Sequence, residues 1–235
     1  LAFETFPNLA LIKTYNTNSQ VSDSAGTISA ILTGEKTSIG VSGITSNVAR
    51  DDCAAALANT LPTIAELAED AGMATGVVST ARITHATPAG AFAHTPNRDW
   101  EDSASTPNEA EALGCIDIAQ QMIQMPNGDG LDVILGGGRG QFLPTSESDP
   151  EYPKKSGKRD DGRNLIEEWL AQDATRQYVW NGEGFAALAS QQGKIAGQVM
   201  GLFEPSHMKF DTDRAEDPGA EPSIAAMTEF AVSQL

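Results

Sequence analysis

The chain has 235 residues, of which 40% are hydrophobic and 20% charged, and these globular values exclude wholesale disorder. Its 15 lysines and arginines against 32 aspartates and glutamates give a net charge of −17, which argues against nucleic acid or an anionic membrane as a partner. The sequence contains no apolar run near the roughly 18 residues needed to span a bilayer.

The beginning of the chain predicts a strand and a short helix. Residues 9–14 form an apolar segment that is a strand candidate. Residues 24–32 have a composition that suits a helix, and Gly34 is a natural terminator at its far end.

A stronger helix signal covers residues 60–72, with Thr60 as its cap and Pro62 in its first turn. Its predicted apolar face consists of Ile64, Leu67, Ala68 and Ala71. The segment 74–80 follows as a short apolar strand, which we expect to be buried on both faces.

The rest of the chain repeats the order of helix, turn and strand. Helices are predicted over 115–125, 164–171, 184–190 and 222–235, and strands over 131–135, 177–180 and 199–203. Residues 141–162 are polar and are predicted to form an excursion from the sheet. Alternating helices and strands are typical of the α/β class, so residues 1–235 are expected to be part of one α/β domain.

Asp23 and Ser24 open the first predicted helix and are followed by the small residues Ala25, Gly26 and Thr27. The free backbone N–H groups and the dipole at a helix N-terminus favour an anion. A serine in this uncrowded position suits a nucleophile that attacks phosphate. The alternative is a serine that only caps a helix after a turn.

A second informative stretch runs from Thr80 to Trp100 and begins where a strand meets a loop, the usual ligand-binding rim of an α/β sheet. On extended backbone His85 and Thr87 would point the same way, and an imidazole and a hydroxyl can help hold a hydrated hard cation. Arg98 can present a guanidinium fork to phosphate oxygens. The alternative is a loop before a helix, with a hydrogen-bonded histidine and a surface arginine.

The other histidines and the cysteines carry weaker signals. His94 is predicted to be structural and His207 to lie on the surface. Cys53 and Cys115 are either a disulfide or two buried thiols, and the lack of a C-x-x-C pattern argues against a metal or redox site. No G-x-S-x-G motif surrounds Ser24, which argues against a Ser-His-Asp hydrolase.

Several motifs in order resemble the alkaline phosphatase family: Gln20-Val-Ser-Asp-Ser-Ala-Gly-Thr27, His85-Ala-Thr-Pro-Ala-Gly90, Asn97-Arg-Asp-Trp100, Tyr178-Val-Trp-Asn181, Gly201-Leu-Phe-Glu-Pro205 and Met227-Thr-Glu229. They cover essentially the whole chain, and the second is similar to animal-type enzymes and their bacterial relatives. The resemblance implies a three-layer α/β/α sandwich with a central, mostly parallel sheet. It also implies hydrolysis of phosphate monoesters through a phosphoserine intermediate.

The resemblance also assigns roles to individual residues. Ser24 matches the nucleophile, Asp23 the acidic neighbour that orients an arginine, and Arg98 the arginine that grips the phosphoryl group. Thr87 matches a direct magnesium ligand, and His85 a residue that holds that ion through water. A serine hydroxyl is a poor nucleophile at its free pKa, and two zinc ions would activate it in this family.

Four further positions match the calcium site of the animal-type enzymes: Glu151, Glu204, Glu221 and the carbonyl of Phe203. The family usually has Asp at the position of Glu221, which is therefore a departure. Oxygen-only ligands suit calcium. The alternative is a set of solvated carboxylates on an acidic protein.

The same resemblance implies that Cys53 and Cys115 form a disulfide, which favours an extracytoplasmic location, periplasmic or secreted, and it implies a homodimer. Most zinc ligands are expected outside the given sequence, in an Asp-Gly motif before Leu1 and in Glu and Asp-x-x-x-His motifs after Leu235. Two functions therefore remain open. The chain is part of a longer metal-dependent phosphatase, or it is a non-catalytic fragment that retains phosphate or calcium binding.

Overall fold

A computed structural model describes residues 2–235 and contains one parallel sheet. Its strands are β1 (Gly76–Arg82), β2 (Val133–Gly137), β3 (Gln177–Val179) and β4 (Val199–Leu202), in the order β1-β2-β4-β3. Both neighbours of β2 pair with it in parallel, so that Val133 lies opposite Gly76 on one side and Val199 on the other. The predicted α/β class is therefore confirmed.

Helices connect and cover the strands. They are α1 (Ser24–Thr33), α2 (Cys53–Leu57), α3 (Ile64–Asp70), α4 (Ala86–Ala89), α5 (Asn108–Ala112), α6 (Ile118–Ile123), α7 (Leu165–Gln172), α8 (Gly182–Ala189) and α9 (Ile224–Gln234). Within residues 2–235, no helix combines the length and the apolar character that crossing a membrane requires.

Alternating side chains of the strands fill two separate cores, one on each face of the sheet. Ile134 of β2 packs into a core that contains residues of α6 and α7. Its neighbour Leu135 packs into the opposite core, together with Phe185 of α8 and Phe230 of α9. Full burial of each such side chain contributes about 1.5–3 kcal/mol. The result is the three-layer α/β/α arrangement.

The strands predicted in the second half agree with the structure, whereas in the first half one predicted strand is absent and another is less buried than expected. Residues 9–14 form no strand: they run exposed along the surface and pair with none of the strands in the described part of the chain. The prediction that residues 74–80 are buried on both faces is also wrong. This segment is β1, which lies at the edge of the described sheet and is only partly buried.

The helix predicted over 60–72 is shorter, and its burial is reversed. It spans Ile64–Asp70 and is capped by Thr63, whose hydroxyl accepts from the backbone of Glu66, so that Thr60 and Pro62 lie before it. Ile64 and Leu67 of the predicted apolar face are 62% and 56% exposed. The helix predicted over 222–235 also begins later than expected, because Pro222 precedes α9 and Ser223 is its N-cap.

Glu66 is buried on this helix because it has a partner. Its Oε1 lies 2.7 Å from Nε2 of His94, and Nδ1 of His94 lies 2.8 Å from the carbonyl oxygen of Gly43. Burial alone would lower the pKa of His94, but the hydrogen bond with Glu66 and its charge raise it above 6.5. Burial alone would raise the pKa of Glu66, but His94 and the bonds with Thr63 lower it below 4.5.

Cys53 and Cys115 form a disulfide between residues 62 positions apart. Both cysteines are buried and pack against Trp100 and Ala110. The bond therefore ties α2 to the segment after α5 and supports the loop that carries Trp100. The residues alone left a disulfide and two thiols open, and the disulfide that the family resemblance implies is confirmed.

We predict that a Cys53→Ala/Cys115→Ala variant loses about 4 kcal/mol of unfolding free energy, because the disulfide restricts a long loop in the unfolded chain. Denaturant unfolding of the oxidised protein, the reduced protein and the variant measures the loss. Reduced wild type serves as the matched control and should resemble the variant. Equal midpoints for oxidised and reduced protein would contradict the prediction.

The pair of Glu66 and His94 predicts a defined pH dependence. The contribution of His94 is complete below its unfolded pKa of 6.5 and is lost as pH rises through its higher folded pKa. The contribution of Glu66 is complete above 4.5 and is lost as pH falls through its lower folded pKa. Stability lost by Glu66→Gln should therefore be largest between pH 4.5 and 6.5.

Unfolding free energies of wild type and Glu66→Gln, measured from pH 4 to pH 9, test this window. Glu167→Gln removes a carboxylate from the exposed surface of α7 and is the control. A loss in Glu66→Gln that keeps growing above pH 8 would show that ionised histidine is not what stabilises the pair.

Candidate active site

The N-terminus of α1 is held by the side chain of Asp23. Its Oδ1 accepts hydrogen bonds from the backbone N of Gly26 at 3.0 Å and from Nδ2 of Asn16 at 2.9 Å. A Cβ at position 26 would lie 2.6 Å from Oδ1 of Asn16, so only glycine fits there without displacing Asn16. This packing explains the small residue two places after Ser24.

The other oxygen of Asp23 meets two groups from distant segments. Oδ2 accepts from the backbone N of Gly40 and from Nη1 of Arg98, each at 3.1 Å. Burial alone would raise the pKa of Asp23, but the bonds with Gly26, Asn16 and Arg98 lower it. Asp23 is therefore a carboxylate at neutral pH that fixes the guanidinium beside it.

Arg98 connects three of the predicted site residues. Its Nη1 also donates to Oγ of Ser24 at 2.7 Å, and its Nη2 lies 3.2 Å from Nε2 of His85. Since a guanidinium can only donate, Nε2 of His85 is the acceptor and the ring is neutral. Burial, followed by the charges of Arg98 and Arg82, lowers the pKa of His85, which agrees with the neutral form.

The loop that carries Arg98 is anchored by its backbone. The N of Arg98 donates to the carbonyl of Gly40 at 2.9 Å, and Thr95 pairs with Ser42 on both sides of an isolated bridge. On the surface, Nη2 of Arg50 contacts Oδ2 of Asp99 at 2.7 Å. These contacts hold the guanidinium over the start of α1.

Thr87 lies beside Ser24 although it is 63 positions later in the sequence. Both side chains, with Thr27, line an open depression of about 350 Å³. The expectation that His85 and Thr87 share one face of an extended segment is wrong, because α4 begins at Ala86. His85 is the residue before this helix and points at Arg98, whereas Thr87 is exposed on its first turn.

His207 also lies in this region, although the sequence predicted only a surface position for it. It is exposed, as predicted, yet its ring meets that of His85 edge-on with centroids 5.1 Å apart. Its Nδ1 accepts from the backbone N of Arg82 at 3.1 Å. Arg82 in turn forms two hydrogen bonds with Glu101, at 2.6 and 2.8 Å.

A second polar cluster lies beyond the carboxyl end of β4. Carboxylate oxygens of Glu151, Glu204 and Asp217 all lie within 4.8 Å of one another. Burial raises the pKa of Glu221 to about 7, and the charges of those three residues add to the increase. Burial likewise raises the pKa of Glu151 to about 6, despite its bond with Arg139.

Two of the predicted calcium positions, Glu151 and Glu204, therefore lie in this cluster, and Glu221 borders it because its backbone N donates to Oδ2 of Asp217 at 2.9 Å. Phe203 precedes Glu204 in the chain, and its ring is buried against Phe185, with centroids 5.7 Å apart. Asp217 was not predicted. Its only sequence signal is a place four residues before Glu221 in an acidic loop, which does not distinguish it from its exposed neighbours.

The family model of alkaline phosphatase matches residues 1–235. Alkaline phosphatase of Gadus morhua is 40% identical over 240 aligned positions, which cover 100% of this chain and 49% of that protein. Alkaline phosphatase from the Antarctic bacterium TAB5 has a TM-score of 0.67 at 26% identity, with 99% of this chain and 53% of that chain covered.

A mutant of the TAB5 enzyme with magnesium bound in its M3 site has a TM-score of 0.65 at 24% identity, with 99% of this chain and 52% of that chain covered. The chain spans about half the length of the relatives it matches. The match of the family model over the whole length decides the assignment, and the chain belongs to the alkaline phosphatase family.

Proposed function

We propose that this chain carries the nucleophile and the phosphate-binding arginine of a metal-dependent phosphatase that hydrolyses phosphate monoesters through phosphoserine. The observation that supports it most is the contact of one guanidinium with both Ser24 and Asp23. The nucleophile Oγ of Ser24 and the group that would bind the phosphoryl oxygens are thereby already adjacent.

The chain's own residues would act by position and charge. Ser24 is the first residue of a ten-residue helix, where backbone N–H groups and the dipole stabilise an anion. Arg98 keeps donors for phosphoryl oxygens, while Asp23 holds its orientation. The open depression beside Ser24 leaves room for the ester and for water.

Metal ions would supply the activation that Ser24 lacks, by lowering the pKa of its hydroxyl and neutralising the leaving oxygen. For magnesium, the exposed hydroxyl of Thr87 is available beside Ser24, and His85 contacts Arg98, which also contacts Ser24. Both fit a hydrated hard cation.

The two zinc ions require more ligands than the described residues offer. The three histidines contact Arg98, Glu66 and Arg82, and across residues 2–235 the cluster around Glu204 is the one group of three acidic, histidine or cysteine ligands. We therefore assign most zinc ligands to the rest of a longer enzyme.

A calcium ion is proposed at Glu151, Glu204, Glu221 and the carbonyl of Phe203. The donor set is oxygen only, as calcium requires. Within residues 2–235, Oε2 of Glu221 is buried without a hydrogen-bond partner, and a bound cation would offset the cost of that burial. Glu221 is longer than the usual Asp, and its Oε1 accepts from the backbone N of Lys209 at 2.8 Å.

The disulfide between Cys53 and Cys115 supports an oxidising, extracytoplasmic location, periplasmic or secreted. A homodimer is proposed from the family. The second candidate function is a fragment that binds phosphate or calcium without turnover. Intact mass and p-nitrophenyl phosphate hydrolysis in zinc and magnesium separate the two.

For the active protein, we predict that Ser24→Ala lowers kcat by about three orders of magnitude or more, because no alkoxide can form at this position. Ser22→Ala removes the same hydroxyl two positions earlier and should keep near wild-type turnover. Steady-state hydrolysis of p-nitrophenyl phosphate measures both. Near wild-type turnover of Ser24→Ala would refute its assignment.

Arg98→Lys keeps the positive charge but removes the fork that contacts Ser24 and Asp23 together. We predict about tenfold or more weaker inhibition by inorganic phosphate, with kcat/KM reduced to match. Arg163→Lys, at the ion pair with Glu168 away from this loop, is the matched control. Unchanged phosphate inhibition in Arg98→Lys would place phosphate elsewhere.

A further inference from the structure

The acidic cluster beyond β4 is only partly neutralised by cations. It contains Glu151, Glu204, Asp217 and Glu221. Burial raises the pKa values of Glu151 and Glu221, and the charges of neighbouring members add to the increase. Arg139 donates to Oε2 of Glu151 at 3.0 Å, but two further hydrogen bonds of its guanidinium, both 2.8 Å, go to the carboxylate of Asp149. Most of the cluster's negative charge therefore remains for another cation.

In the described part of the chain, two carboxylate oxygens of this cluster are buried without a hydrogen-bond partner. They are Oδ1 of Asp217 and Oε2 of Glu221, on residues that are 7% and 2% exposed. The other oxygen of Asp217 accepts from the backbone N of Glu221 at 2.9 Å, which fixes the carboxylate in place. A buried carboxylate oxygen without a partner is costly, and a cation relieves that cost.

Lys209 reaches into the cluster from the surface. Its Nζ contacts Oε1 of Glu204 at 2.9 Å, and the same oxygen accepts from the hydroxyl of Tyr152 at 3.1 Å. The Lys209 side chain is 37% exposed, whereas that of Glu204 is 3% exposed. An ammonium on a flexible, half-exposed stem can leave this contact without unfolding its surroundings.

We propose that Asp217 is a further ligand of a divalent cation in this cluster, and that Lys209 is the internal cation which that ion displaces from Glu204. The inference rests on the calcium site proposed above, whose four family positions include neither residue. The proposal adds Asp217 to the calcium ligands, and it adds Lys209 as a cation that competes with calcium for Glu204.

The distances allow this exchange. Two oxygens bound to one calcium ion at 2.3–2.6 Å are separated by at most about 5 Å. Oxygens of Glu151, Glu204 and Asp217 lie within 4.8 Å of one another, so a single ion can bind all three. When it does, Nζ of Lys209 faces a divalent cation at the same carboxylate and moves out to solvent by repulsion.

Calorimetric titration of the purified protein with calcium chloride tests both parts. Asp217→Asn should weaken calcium binding about tenfold or more, since one charged ligand becomes a neutral amide. Lys209→Met, which keeps the length of the side chain without its charge, should strengthen it several-fold. The matched controls are Asp213→Asn, in the same loop, and Lys154→Met, both at exposed positions.

The results separate this inference from the calcium site itself. If wild type binds calcium and Asp217→Asn binds as tightly as Asp213→Asn, Asp217 is not a ligand and the inference fails alone. If Lys209→Met binds calcium no more tightly than Lys154→Met does, calcium does not displace Lys209. A wild type without calcium binding refutes the site and the inference together. Since Lys209 is half-exposed, we expect Lys209→Met to fold. Its calcium affinity therefore tests the displacement even if Asp217→Asn does not fold.

Discussion

The contact between Arg98 and Asp23 is the constraint on which the candidate active site depends. It joins residues 75 positions apart, one at the start of α1 and the other in the loop after α4. The backbone of Gly40 contacts both, through its N to Asp23 and its carbonyl to Arg98. The disulfide packs against Trp100, and His94 pairs with Glu66, and both contacts anchor the loop that carries Arg98. Elements far from Ser24 therefore determine the position of Arg98.

Local signals in the sequence predicted the elements whose reasons are local. α1 begins at Ser24 and ends before Gly34 as expected, because an N-cap and a left-handed glycine act within a few residues. The apolar runs of β2 and β4 are buried by neighbours on both sides. The predicted burial of α3 was wrong because His94, the partner of Glu66, lies 28 positions away. Hydrophobic periodicity within a helix does not report a contact at that distance.

The same distinction holds for the sites. Ser24, Arg98 and His85 were identified by family motifs, and the structure brings them into contact. Their roles in catalysis stay a prediction. Asp217 and Lys209 lie outside those motifs, and their importance depends on which oxygens the fold leaves without partners. Which oxygens lack partners is determined by packing in the folded chain, and a sequence rich in Asp and Glu does not indicate it.

The distribution of cations explains how a chain with a net charge of −17 can suit an anionic substrate. Arg139 and Arg159 are almost completely buried, and each contacts two carboxylates: Asp149 and Glu151 for Arg139, and Asp117 and Asp161 for Arg159. These arginines stabilise the polar segment around them and contribute little to the surface potential. The acidic surface is screened beyond about 8–10 Å in salt. Under the proposed function, attraction of phosphate is therefore local, and Arg98 is the group that we assign to it.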